Sequence, residues 1–336
     1  MKIRNSYPIN SGTALALFSG GLDSILAAKI VQQQGINIIP VCFSSPFFDC
    51  KKAKISAERL DLELQTYELG ENYLNIIRNP KYGYGKHLNP CIDCHAFMYR
   101  KLGEMMKEFK ADFLISGEVL GQRPKSQSIT GLNTVAKHSG YKDFIVRPLS
   151  QKLLQDTKPI REGWVNKDEL YNIQGRGRIM QIELAKELDI TYYPSPAGGC
   201  LLTDEGYCKR LQDLIDYDVY DLRFIKFLNT GRHFRISENT KLILGRKQSD
   251  NEKLNNFITD DLLTLKAEGF PGPLGVINCR QELNIDEIKL SAQILLRYIT
   301  KLKNRGEVRI SMGKVQNKVI EVEKLQSGLE KEYLIN

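Results

Sequence analysis

One hexapeptide, Ser19-Gly20-Gly21-Leu22-Asp23-Ser24, restricts the fold of this chain more than any other stretch. It follows an apolar run, Ala14-Leu15-Ala16-Leu17-Phe18, and precedes Ile25-Leu26-Ala27-Ala28-Lys29-Ile30-Val31. An apolar run of that length that breaks into glycines predicts a buried parallel strand ending in a turn, and the residues beyond it predict a helix. Paired glycines let the backbone turn tightly and approach a ligand closely. The N–H groups of such a turn and of the helix start point at an anion, with Ser19 and Ser24 as further hydroxyl donors. Asp23 repels phosphate and suits Mg²⁺ or a helix cap instead. No lysine follows the glycines, so this is not a GxxxxGK[ST] loop, and it is not GxGxxG. The plain alternative is an ordinary strand–helix turn.

Length and charge set the surroundings. The 336 residues suffice for one large or two medium domains. The net charge is +8, and most of the excess falls in residues 1–200. A basic surface beside a phosphate site suits a phosphate-rich substrate such as RNA. No apolar run is long enough to span a bilayer, and the N-terminal residues lack a signal peptide's apolar stretch. The expectation is a cytoplasmic protein without a membrane partner. Seven irregularly spaced cysteines fit that reducing setting, as thiols or metal ligands.

The second informative stretch is Asn89-Pro90-Cys91-Ile92-Asp93-Cys94, followed by a helical pattern from His95 to Phe109. A CxxC at a helix start places thiols near the positive end of the dipole, which favours thiolate and suits redox exchange, zinc or an iron–sulfur cluster. There is no second CxxC, which excludes a zinc site built from two such pairs. His95 is a candidate ligand, with a solvent-facing side chain as the alternative. A further loop, Ser195-Pro196-Ala197-Gly198-Gly199-Cys200, ends in a thiol. Cys42 lies in an apolar run and reads as core; Cys50, Cys208 and Cys279 read as packing residues.

SGGLDS resembles the SGGxDS pyrophosphatase loop (PP-loop) of the N-type ATP pyrophosphatases, a superfamily that includes argininosuccinate, GMP and NAD synthetases and the tRNA thiolases. The resemblance implies ATP and Mg²⁺ as cofactors, ATP cleavage to AMP and pyrophosphate, and adenylation of a substrate oxygen. It implies nucleotide binding by Ser19, Gly20, Gly21, Asp23 and Ser24. NPCIDC resembles the NPxxxC element of the 2-thiouridine synthases, with Cys94 at their first catalytic cysteine and Cys91 where some members have aspartate. Cys91, Cys94 and Cys200 together resemble the thiolases in which three cysteines hold a [4Fe-4S] cluster and the fourth iron binds the incoming sulfur. The alternative within the same family is a two-cysteine persulfide relay without a cluster.

Residues 111–118 read as another strand end, which puts Ser116, Gly117 and Glu118 at the ligand crevice of an open α/β sheet. The thiolases carry a similar element near the nucleotide. Arg123 and Lys125 are candidates for pyrophosphate or RNA phosphate, and Arg147 for the nucleotide or tRNA. Arg176 and Arg178, interleaved with glycines, make a plausible anion site, and Tyr192 and Tyr193 are candidate base-stacking rings. After Cys200 the pattern changes. Residues 204–228 and 285–302 read helical, as does 252–258; 231–235, 241–246, the stretch after Pro271 and 307–323 read as strands. GRHFR, KLILGR and GPLGV resemble the small RNA-linked module of the ribosome quality-control proteins. Arg232, His233, Arg235, Lys241 and Arg246 are then candidates for a basic stripe along one strand face.

The expected architecture is α/β. An open, mostly parallel sheet with helices on both faces, like the adenine nucleotide alpha hydrolases, occupies residues 1–203. A smaller α+β domain at 204–336 serves tRNA binding or dimerisation, so that a homodimer is one expected state. The expected reaction is tRNA uridine thiolation, with Cys91, Cys94, Cys200 and Asp23 as catalytic residues, Gly117 beside the nucleotide, and a sulfide or persulfide-carrying protein as sulfur donor. Asp93 is a candidate for proton transfer. A PP-loop AMP-forming ligase or amidotransferase on a small metabolite, and a non-catalytic RNA-binding protein, are the rivals.

Overall fold

A computed structural model describes residues 12–195, 199–279, 284–312 and 316–335. The chain divides into two compact units that part between Thr203 and Asp204. No helix among the described residues is long and apolar enough to cross a membrane.

In the first unit β1 (Thr13–Leu17), β2 (Asn37–Ser44), β3 (Gln65–Glu68), β4 (Phe113–Ser116) and β5 (Ile145–Val146) form one sheet in the order β3-β2-β1-β4-β5. Every neighbouring pair is parallel. Its helices are α1 (Leu22–Gln32), α2 (Lys51–Arg59), α3 (Glu71–Arg78), α4 (Cys91–Glu104), α5 (Ile129–Ser139), the short α6 (Lys158–Arg161) and α7 (Ile179–Glu187). Ala14, Leu15 and Ala16 are consecutive and all buried. Consecutive strand residues face opposite ways, so both faces of the sheet are covered, as a parallel sheet requires. The helix α1 is apolar nearly all round and buries Ile25, Leu26, Ala27, Ala28, Ile30 and Val31. The strand order reverses between β1 and β4, so the crevice beyond their carboxyl ends is where this topology offers a ligand site.

Cys42 is a core residue as expected, and Cys50 packs beside it, but the two are also cross-linked. Cys42 in β2 and Cys50 at the N-cap of α2 are both buried and joined as a disulfide. The loop between them folds back so that the start of α2 returns to the end of β2. Cys50 is therefore a cross-link and not an isolated packing residue.

The second unit has α8 (Glu205–Asp216), α9 (Leu222–Ile225), β6 (Arg232–Arg235), β7 (Thr240–Leu244), α10 (Gln248–Phe257), β8 (Leu263–Ala267), β9 (Gly275–Cys279), α11 (Ile285–Arg297), β10 (Arg305–Met312), β11 (Gln316–Glu323) and α12 (Glu330–Tyr333). Its sheet runs β11-β10-β8-β9-β7-β6 with every neighbouring pair antiparallel. Ala292, Ile294, Leu295 and Leu296 of α11 share a core with Phe234, Leu242, Leu265, Ile277 and Val308 from the strands. This is the α+β unit expected from the pattern, with β8 as an additional strand. Residues 313–315 of the expected strand stretch lie outside the described residues.

The basic stripe expected on β6 and β7 is not a phosphate-ready surface. His233 and Lys241 are buried. Asp213 of α8 accepts from Lys241 Nζ at 2.6 Å and from Arg235 Nη2 at 2.6 Å. Arg246 lies 3.5 Å from Asp250, and the Arg232 guanidinium lies 4.5 Å from the centre of the Tyr298 ring. Asp213 of α8 and Asp250 of α10 thus engage Arg235, Lys241 and Arg246, and the Tyr298 ring takes Arg232.

Candidate active site

The hexapeptide folds as the strand–turn–helix that its residues predict. Gly20 has φ +72°, and a Cβ there would lie 2.5 Å from the Lys52 carbonyl. The start of α2 backs directly onto the turn, and only glycine fits. Ser56 Oγ donates to the Gly20 carbonyl at 2.9 Å and fixes that contact. Gly21 N–H donates to Ser19 Oγ at 3.3 Å, and Ser24 Oγ donates to the Gly21 carbonyl at 2.9 Å. Gly21, not Asp23, is the N-cap of α1, so the capping role is absent. Asp23 Oδ2 accepts from Gln122 Nε2 at 3.1 Å, while Oδ1 is buried with no hydrogen-bond partner among the described residues. Burial is the leading influence on Asp23 and raises its pKa, opposed by the Gln122 hydrogen bond and by the charges of Arg178 and Arg123.

The end of β4 joins this turn to the cysteines. A Cβ on Gly117 would lie 2.7 Å from the Ser24 nitrogen, so β4 approaches the first turn of α1 at glycine distance. The next residue, Glu118, is buried and turns the other way. It accepts from His95 Nδ1 at 2.8 Å and from Arg147 Nε at 3.0 Å. Burial alone would raise the Glu118 pKa, but Arg147 and His95 together pull it down to about 2. Glu118 and Arg147, both expected beside the nucleotide, are thus committed to each other, because the low-polarity interior leaves each the other's best partner. Ser116 is buried and hydrogen-bonded to Tyr99 and Glu118. His95 is oriented by Glu118 and belongs to no group of three or more His, Cys, Asp or Glu arranged for a metal among the described residues.

Cys91 and Cys94 stand one turn apart at the start of α4, on one face. Asn89 Nδ2 donates to Cys91 Sγ at 3.2 Å, and Cys94 Sγ lies 3.1 Å from the buried Tyr73 hydroxyl. Cys200 arrives from the far end of the unit. Leu201 N–H donates to the Phe47 carbonyl at 2.9 Å, and the Phe47 ring lies 6.3 Å from that of Tyr73. The thiols of Cys91 and Cys200 both lie within electrostatic reach of Cys94. Cys200 thus lies in the same region of the unit as Cys91 and Cys94, although more than one hundred residues separate Cys94 from Cys200. Residues 196–198 of the loop before Cys200 lie outside the described residues. Burial, above all, pushes the Cys94 thiol pKa far up, the reverse of the thiolate expected from the helix dipole. Desolvation by the surrounding protein outweighs the half-charge of the helix end.

This gathering does not fit a resident cluster. Among the described residues no group of three or more His, Cys, Asp or Glu is arranged to hold a metal ion. Tyr73 and Asn89 each occupy a sulfur with a hydrogen bond. The [4Fe-4S] expectation accordingly carries no step below.

Other candidates are absorbed by local structure. Asp93 accepts from the backbone N–H groups of Lys81 and Tyr82 at 3.0 and 3.1 Å, so it pins the loop before α4 and is not free to shuttle protons. Lys125 Nζ donates to the carbonyls of Gly83 and Tyr84. The Tyr192 ring packs under the Arg59 guanidinium at 4.2 Å, and Tyr193 packs against the core. Arg123, Arg176 and Arg178 form no ion pair among the described residues, and so stay available to an anion. Sequence reading passes over Tyr73, Gln122 and Gln181. A tyrosine in an amphipathic helix and two glutamines carry no local signal, and only the tertiary fold sets them beside Cys94 and Asp23.

Comparison with known proteins agrees with this two-part division. Residues 9–153 match the family described as Thiamine biosynthesis protein (ThiI), and residues 231–334 match the NFACT protein RNA binding domain. A probable tRNA sulfurtransferase of Methanosarcina mazei is 34% identical over 122 residues, which are 33% of this chain and 29% of that one. A tRNA-specific 2-thiouridylase of Trichlorobacter lovleyi is 23% identical over 200 residues, 56% of each chain. The chain thus spans less than a third of the length of the first relative and just over half of the second. A solved 4-thiouridine synthetase–RNA complex with bound ATP is 19% identical, covers 53% of this chain and 52% of that one, and superposes with a TM-score of 0.34, a likeness too slight to build on. The first unit thus contains the segment similar to the ThiI family, and the second contains the segment similar to the NFACT RNA binding domain.

Proposed function

We propose that this pairing of a ThiI-type PP-loop domain with an NFACT-type RNA-binding domain is an ATP-dependent tRNA thiolase that works by a two-cysteine persulfide relay. The observation that carries the reading is that Cys200 lies within electrostatic reach of Cys94 in the domain whose β4 end touches the PP-loop at Gly117 and the cysteine helix at Glu118. The turn at Ser19–Ser24 holds the ATP phosphates with its N–H groups and hydroxyls. Mg²⁺ would be held by the buried Oδ1 of Asp23, which has no hydrogen-bond partner among the described residues, and would supply positive charge to the phosphate tail.

A uridine carbonyl oxygen attacks the α-phosphorus, and pyrophosphate leaves. The ring carbon now bears AMP, a far better leaving group than the original oxygen. Cys200, on a loop, carries the persulfide received from the sulfur donor. Its terminal sulfur attacks the ring carbon and AMP departs, leaving the base joined to Cys200 through a disulfide. Cys94 then attacks the Cys200 sulfur. The base keeps the terminal sulfur as its thiocarbonyl, a Cys94–Cys200 disulfide remains, and a small dithiol reduces it for the next round.

The test is turnover of unmodified tRNA with ATP, Mg²⁺ and a persulfide donor, reading thiouridine by mercury-gel retardation and AMP by chromatography. The wild type is expected to form one AMP per sulfur inserted. Cys94→Ser and Cys200→Ser should abolish thiouridine, and Asp23→Ala should abolish AMP formation as well. AMP release that needs a small metabolite and no tRNA would replace this reading with that of a ligase.

A further inference from the structure

The residues matching the ThiI family end at 153, yet the chain beyond them returns to the PP-loop. Leu120, just past β4, pairs with Gln174 as an isolated parallel bridge, and Gly175 N–H donates to the Leu120 carbonyl at 2.7 Å. Ser150 secures the crossing by accepting from Leu120 N–H at 3.0 Å and donating to the Ile173 carbonyl at 2.7 Å. The two strands of chain meet at Gly121 and Gly175, both with positive φ, where a Cβ on Gly121 would lie 3.3 Å from the Gly175 nitrogen. From this junction α7 starts and packs along α1, the helix that the PP-loop opens.

One residue of α7 is out of keeping with a packing helix. Gln181 is fully buried, and neither its amide nitrogen nor its amide oxygen has a hydrogen-bond partner among the described residues. It lies beside Asp23, close enough to favour the charged carboxylate though short of a well-formed hydrogen bond. Asp23 Oδ1 is likewise buried and unpartnered. Each such group is costly to bury without a partner. Native proteins keep few of them, and each calls for an explanation. Three buried polar atoms without partners among the described residues, on neighbouring side chains with Arg178 and Arg123 in electrostatic reach, suit a polar or charged ligand.

We propose that Gln181 and Arg178 form a third wall of the nucleotide site, binding the Mg²⁺-bearing phosphate tail of ATP and the pyrophosphate it releases. This inference rests on reading the Ser19–Ser24 turn as an ATP site. Gln181 completes the hydrogen bonding of the tail beside Asp23, and Arg178 supplies the positive charge that the PP-loop itself lacks, having no lysine. The wall meets the phosphate tail and leaves the adenosine end alone.

Titration calorimetry of the full chain with Mg²⁺·ATP, Mg²⁺·pyrophosphate and AMP tests this. Gln181→Leu is expected to bind Mg²⁺·ATP about tenfold more weakly, a loss of about 1.4 kcal/mol. It should bind AMP unchanged and unfold in urea at the same or a higher midpoint, because it deletes an unpartnered buried amide. Arg178→Ala, at a partly exposed position, should lose at least as much affinity for Mg²⁺·pyrophosphate, and it holds the test open if Gln181→Leu folds poorly. Wild-type affinity for Mg²⁺·ATP and Mg²⁺·pyrophosphate in both variants would overturn the wall while leaving the PP-loop reading intact. Absence of ATP binding by the wild type would overturn the PP-loop reading and the wall with it.

Discussion

Arg123 and Arg178 of the first domain stand near Asp23 without an ion pair among the described residues, whereas Arg235 and Lys241 of the second domain close on a single carboxylate, Asp213. Both sets of basic residues look alike in sequence, as cations spaced along a loop or strand. Their surroundings separate them. Strand ends at a switch point open onto a crevice, and the carboxylate there is already held by Gln122. Strand faces in an antiparallel sheet are covered by helices, and α8 presents Asp213 to them. A phosphate site needs cations that nothing else has claimed. The first domain keeps such cations at its sheet ends, and its own claimed pair, Glu118 with Arg147, sits just behind them.

The strongest attack on this contrast is Asp213→Ala. It leaves Lys241 buried and without a counter-charge, which costs about 3–5 kcal/mol. Urea unfolding should show an early transition for the second domain and an unmoved one for the first. Removing Lys241 as well, in Asp213→Ala with Lys241→Met, should restore most of the loss. A second domain of undiminished stability whose RNA affinity falls instead would mean that Lys241 faces phosphate, and the contrast would collapse.

pH should act on the two domains at opposite ends of its range. The Glu118 pKa is lowered from 4.5 to about 2, so this group contributes stability that is present above pH 4.5 and lost as pH falls through 2. The amount is on the order of 3 kcal/mol. Lys241 is lowered from 10.5 to about 8, chiefly by burial that Asp213 offsets only in part. The unfolded chain holds that proton more tightly than the folded one. The second domain should therefore gain stability as pH rises from 8 toward 10.5, before general alkaline unfolding. Urea midpoints against pH read both limbs. Glu118→Gln should flatten the acid limb of the first domain alone, and an acid limb of unchanged steepness in that variant would remove Glu118 from the account.

How much of this is legible beforehand depends on the range of the interaction. The strand, turn and helix around Gly20 are local, because an apolar run, a glycine and an apolar helix each state their preference within a few residues. The place of Cys91 and Cys94 at a helix start is local too. The raised pKa of Cys94 is not, since it comes from the protein packed around the thiol, including Tyr73. Glu118 and Arg147 read as site residues because a strand end is a good place for them, but sequence does not show that 29 residues later each has found the other. The strand β8 is short, alternates Leu263 and Leu265 with Thr264 and Lys266, and takes its identity from β9 and β10 beside it. The pairing of Cys42 with Cys50 depends on where α2 must return to back the PP-loop. In each case the residue type is visible and its partner is not.

The smallest expected effect sharpens the same contrast within the second domain. If claimed cations are silent toward RNA, unclaimed ones should carry its affinity. Lys301 and Lys303, between α11 and β10, are exposed and form no ion pair among the described residues. Each released counterion contributes to a salt-dependent affinity, so Lys301→Ala with Lys303→Ala should weaken tRNA binding a few-fold at about 0.15 M salt and lower the slope of log affinity against log salt by up to about two. Stability should move by less than about 0.5 kcal/mol, as for other surface changes. Arg232→Ala, which strips a guanidinium from the Tyr298 ring, should do the reverse, costing about 1 kcal/mol of stability with the salt slope unchanged. A double lysine variant that keeps its salt slope, beside an Arg232 variant that loses it, would return RNA contact to β6 and show that pairing with an aromatic ring leaves a cation free enough to bind phosphate.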